Sequence, residues 1–154
     1  MKIRTELGIL SKIFKKKTNS NELTSLDFTN SDSILKIVVE LYNEIWTDSK
    51  KWKENHQKIE RYLTELLSLN PNDTRALTNL GAILSDNGKH KNALTELLKA
   101  EKLESKDANL YRNIGIAKMN IESERQNAKE YFEIANKFKS DELTIEAYFD
   151  PHGH

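Results

Sequence analysis

The sequence has no cysteine, which excludes disulfides, thiolate metal sites and cysteine nucleophiles. Five glycines and two prolines are spread over 154 residues, and so little punctuation argues against a strand-and-turn architecture. No stretch approaches the roughly 18 apolar residues needed to span a bilayer. Neither sign of charge is in excess: 24 Lys and Arg balance 24 Asp and Glu, so no global attraction to nucleic acid or anionic lipid is expected. Chemical signatures are also missing. There is no HExxH, no Walker loop and no glycine-rich phosphate loop, so neither enzymatic activity nor a cofactor is expected. What remains is 37% hydrophobic and 31% charged, a soluble composition apolar enough for a core. It points to one all-α domain.

The first twenty residues carry Lys2, Arg4, Lys12, Lys15, Lys16 and Lys17 against one acid, Glu6. Ile3, Leu7, Leu10 and Phe14 recur at helical spacing. Lys12 and Lys15 interrupt the apolar positions, so no export signal is read and a cytoplasmic location is expected. The segment is read as a basic amphipathic helix packed on its own domain with its lysines in water. The competing reading is contact with an anionic membrane surface. A polar loop over 18–31 follows, pinned by Leu23, Leu26 and Phe28.

From residue 32 the helical period continues for about a century of residues. Six helices are expected, near 32–47, from about 49 to 69, and over 73–87, 89–103, 107–121 and 124–138. Ser31 or Asp32 is expected to cap the first, since helix-opening amides lack acceptors. Thr47, Asp48 and Ser49 separate the first two. Pro71 stops the second, because proline cannot donate to the preceding turn. Gly88 follows the third, as glycine tolerates the left-handed conformation past a helix end.

The sequence also repeats itself. Asn79, Leu80 and Gly81 recur as Asn113, Ile114 and Gly115, and Asp73 recurs as Asp107, each 34 positions on. Ala93, Leu97 and Ala100 recur as Ala128, Phe132 and Ala135, 35 positions on. One inserted residue around 121–125 accounts for the difference. Gly81 and Gly115 fall inside helices, where glycine costs about 1 kcal/mol against alanine. Close approach of a partner helix would justify that cost, with Ala93 and Ala128 as the matching small contacts.

These residues resemble the tetratricopeptide repeat family, whose unit is a 34-residue helix–turn–helix. Leu77, Leu80, Gly81, Gly88, Ala93, Leu97 and Ala100 fit one unit. Tyr111, Ile114, Gly115, Ala128, Phe132 and Ala135 fit the next. Pro71 sits where a preceding, degenerate unit closes, with Ile59, Leu63 and Leu66 on its second helix. Ser105 and Ser140 replace the closing proline. The resemblance implies a solenoid of about three repeats over 32–140, capped by the N-terminal helix and by residues 143–149, with a tail over 141–154.

The resemblance further implies a concave groove lined by the first helix of each pair, holding a peptide or protein segment. Mapped onto this sequence, its candidates are Arg75, Thr78, Asn79, Ala82, Ser85 and Asp86, then Asn109, Arg112, Asn113, Ile116, Met119 and Asn120. Asparagine carries both a donor and an acceptor for an extended backbone. Arg112 and Arg75 offer forks for carboxylates, and Arg112 is expected to be the strongest single contact. Ile116 and Met119 add apolar surface. Thr78, Ala82 and Ile116 cannot supply the Lys/Asn set with which one subclass grips a C-terminal carboxylate. The general reading is an adaptor binding a protein or peptide. The alternative is a dedicated single-partner binder, such as a toxin-immunity protein or a secretion chaperone. Of the four histidines, His56 reads as packed and His90 as a turn residue. His152 and His154, near Asp150, read as a tail with no metal site.

Overall fold

The computed structural model describes residues 25–148. The expected N-terminal helix and the histidine tail lie outside them. Among the described residues the regular structure is entirely helical. The six helices are α1 (Ser31–Thr47), α2 (Trp52–Leu69), α3 (Thr74–Asp86), α4 (His90–Lys102), α5 (Ala108–Met119) and α6 (Ala128–Ala135). Each packs on the next, and α3 also packs on α5. The first helices of successive pairs therefore lie side by side, as a repeat stack requires.

Local chemistry accounts for the boundaries. The cap of α1 is Asn30 rather than Ser31 or Asp32, its side chain accepting from the Ser33 N–H. The Ser31 hydroxyl instead donates to the Asp73 carboxylate across the stack. Asp73 and Asp107 cap α3 and α5: the Asp73 side chain accepts the Arg75 and Ala76 N–H groups, and the Asp107 side chain accepts that of Asn109. After α3, Gly88 takes a φ of 76°, and the Lys89 N–H returns to the Leu84 carbonyl at 2.8 Å. This is the glycine-closed C-terminus expected there. After α4 the left-handed residue is Glu104, at a φ of 61°. Leu103, the last residue of the span expected to be helical, lies past α4 and is substantially exposed.

The expected sixth helix is shorter than its apolar pattern. Residues Glu122–Asn127 form a 3-10 turn, and α6 proper covers Ala128–Ala135. The tighter turn absorbs the residue that lengthens this repeat.

Two apolar clusters fill the stack. One joins α1, α2 and α3 through Leu35, Val38, Ile59, Leu63 and Ile83, with Leu26 and Phe28 packed against it. The other joins α3 to α6 through Leu77, Leu97, Leu110 and Ile114. The two helix glycines lie against side chains of the neighbouring helices. A methyl group on Gly81 would overlap the Leu97 side chain, and one on Gly115 would lie 2.8 Å from the tip of the Phe132 ring. Close approach is thus confirmed, but the partners are the large residues Leu97 and Phe132.

Candidate functional site

Residues 141–148 form no helix. They turn back along the first helices α1, α3 and α5, inside the groove, instead of stacking beyond the last helix pair. The turn begins at Asp107, whose Oδ1 accepts the Asp141 N–H at 2.9 Å while capping α5. The Thr144 N–H closes the turn on the Asp141 carbonyl. Arg112 donates to Ser140 Oγ at 2.9 Å and to Asn109 Oδ1 at 3.2 Å, and Asn109 donates to the Thr144 hydroxyl at 3.1 Å.

Beyond the turn, two asparagines grip the main chain. Asn79 accepts the Ile145 N–H at 2.7 Å and donates to the Leu143 carbonyl at 2.9 Å. Asn113 accepts the Ala147 N–H and donates to the Ile145 carbonyl, both at 2.8 Å. Each amide uses its acceptor and one donor on positions i+2 and i, as a neighbouring strand would. Extended chain advances about 3.3 Å per residue, so one repeat of the groove is matched by two residues of strand. Asn79 and Asn113 are completely buried. A buried amide without partners costs about 1–3 kcal/mol, so this groove requires a backbone or water against it.

Side chains of the segment alternate. Ile145 and Ala147 are 3% and 4% exposed and join the cluster that holds Ala82 and Ile116. Glu146 points outward, with its carboxylate 3.7 Å from Arg112. At the far end Asp86 receives the Tyr148 N–H at 2.7 Å and the Tyr42 hydroxyl at 3.0 Å. The same hydroxyl lies 3.1 Å from the Glu146 carbonyl. Burial, reinforced by the Asp86 charge, pushes the Tyr42 phenol well above its ordinary pKa, so it serves as a neutral donor. His56 is buried, as read, with Nδ1 2.8 Å from the Trp52 carbonyl and Nε2 3.4 Å from Asp86. Trp46 and Tyr148, both half exposed, meet at 5.5 Å between rings at this end of the described segment.

Of the residues mapped to the groove, Asn79, Ala82, Asp86, Asn109, Arg112, Asn113 and Ile116 converge on this segment. The others do different work. Arg75 pairs with Asp32 at 2.6 Å. Thr78 is buried and bonds the Thr74 carbonyl of its own helix. Asn120 donates to the Ile116 carbonyl at 2.9 Å, and the Met119 carbonyl accepts from Arg125. Tyr42 was not read as polar machinery, because on a helical stripe it looks like core. Among the described residues there is no cluster of three metal-ligating side chains, and no helix is long and apolar enough to cross a membrane.

No curated protein matches the sequence. A family model described as tetratricopeptide repeat matches residues 62–95, from within α2, through α3, into the second turn of α4. That match, with the all-helical packing of adjacent pairs, supports a protein-interaction module in general. The chain therefore carries a tetratricopeptide repeat, set in a stack of packed helix pairs of that kind.

Proposed function

We propose that the chain binds a partner protein by holding an extended segment of it in the groove between α3 and α5. The observation that carries this reading is the pair of asparagine amides on the main chain of residues 143–147. Their spacing suits extended backbone of almost any sequence, since every residue offers the same carbonyl and N–H. Arg112 at the rim supplies a cation for an acidic side chain. The groove is a recognition surface and carries no catalytic constellation in this reading.

The test is site-specific photocrosslinking in the native host. A photoreactive residue replaces Arg112 in one variant and the exposed Lys129, on the second helix of its pair, in another. Protein adducts from position 112 and few from 129 are expected. Adducts from 129 alone would place binding on the outer face and contradict the proposal.

A further inference from the structure

Resting on that reading, we propose that residues 143–148 are a resident stand-in for the partner: the groove takes an incoming segment of the same side-chain pattern only as its own segment leaves. The pattern is an aliphatic residue, an outward acidic residue, a small residue and an aromatic, as in Ile145, Glu146, Ala147 and Tyr148.

The division of contacts supports this. The asparagines hold main chain and therefore do not discriminate. Discrimination falls on the two inward positions. Ile145 is buried in the apolar cluster that also holds Ile116 and Ala82, and the Ala147 methyl is buried in the same cluster. Arg112 beside Glu146 favours an acid at the position between them. Tyr148 meets Trp46 at the groove mouth, where an incoming aromatic would find the same face.

The resident segment is also built to be released. It has no helix or strand of its own and follows directly on the turn at Asp141. Its departure breaks no regular ladder, and the contacts between successive helices are direct rather than through it. A short tether gives it an effective concentration of about a millimolar. If the resident segment binds the groove with an intrinsic Kd of about 10 μM, a competing segment of any affinity would appear roughly a hundredfold weaker.

The experiment uses the full chain and a fluorescein-labelled peptide with the sequence of residues 141–148, followed by fluorescence polarisation. In the full chain carrying Ile145→Asp and Ala147→Asp, two carboxylates replace buried apolar contacts and expel the resident segment without altering any helix. This variant is expected to bind the peptide at least tenfold more tightly than the unaltered chain. Adding Asn79→Ala and Asn113→Ala should abolish the gain, as should a bulky tryptophan at the peptide's alanine. Equal binding to variant and unaltered chain would overturn the proposal. So would no binding to a variant whose helical circular dichroism is intact, or exchange of segments between two copies seen as a stable dimer. Should the variant fold poorly, the unaltered chain titrated with peptide to about 10 mM, roughly ten times the effective concentration of the tethered segment, decides. The amide resonances of Ile145 and Ala147 must then move to random-coil positions, and if they stay in place the proposal fails. Crosslinking at position 112 without any such competition would leave groove binding standing and remove only the resident stand-in.

Discussion

Asn79 and Asn113, 34 positions apart, meet at one residue: Asn79 accepts the Ile145 N–H and Asn113 donates to the Ile145 carbonyl. A single position of the extended segment is thus held by two consecutive repeats. Register along the groove follows from repeat spacing.

Removal of either amide should have a bounded cost. Leaving the Ile145 and Ala147 main-chain groups unpaired in place would cost about 1–3 kcal/mol each. The segment escapes that penalty by swinging into water, so the loss cannot exceed the free energy of release. Asn113→Ala and Asn79→Ala should each lower stability by about 1–3 kcal/mol, and the double variant should lose clearly less than the sum. Denaturant titrations of the four proteins give the cycle. Strict additivity would mean that the two amides do not act on a common segment.

The glycines make a sharper case, because two effects oppose each other. Gly→Ala inside a helix should gain about 1 kcal/mol from propensity, whereas overpacking costs about 1–3 kcal/mol. A methyl on Gly81 meets the buried Leu97, and one on Gly115 meets Phe132. Both alanine variants should therefore melt below the unaltered protein. Gly115→Ala combined with Phe132→Leu should lose less than the two changes separately, which thermal melts will reveal.

Glu104 offers the opposite sign. It is exposed and sits at a φ of 61°, where Gly88 serves at the previous helix end. A left-handed non-glycine residue costs about 1–2 kcal/mol, so Glu104→Gly should stabilise the chain by up to about 1 kcal/mol after the entropy of glycine is counted. A raised melting temperature is the check.

Tyr42 predicts an alkaline limit. Its phenol is held neutral in the fold, above an ordinary value of 10.0, by burial and by the neighbouring Asp86. Below that value both folded and unfolded states keep the proton, and the contribution is complete. As pH rises past 10.0, only the unfolded chain ionises, and stability falls by up to about 1.4 kcal/mol per pH unit. Urea titrations on either side of that pH should show a steeper decline for the unaltered protein than for Tyr42→Phe.

The helix pairs were legible because their determinants are local: caps at Asp73 and Asp107, a stop at Pro71, the 34-residue recurrence of the Gly81 and Gly115 sites. The backbone-pairing role of Asn79 and Asn113 was also readable from residue chemistry and repeat position. Their occupant was not read. Leu143, Ile145 and Ala147 alternate with Thr144, Glu146 and Tyr148, which is the period of an extended chain. Their place after the last helix suggested an end cap instead. Contacts such as Tyr42 with Asp86 and Glu146 join positions far apart in sequence, and no local pattern encodes them. The shortened α6 was missed because its apolar spacing outlasts its hydrogen bonding.

The most direct test of the account is amide hydrogen exchange at Ile145 and Ala147, measured by NMR on the full chain. Both N–H groups are buried and bonded to asparagine oxygens. Each should exchange well below its random-coil rate. Protection should be lost at both in Asn79→Ala/Asn113→Ala, while α3 and α5 remain protected. Random-coil exchange at both positions in the unaltered protein, or unchanged protection in the double variant, would contradict an asparagine-held groove.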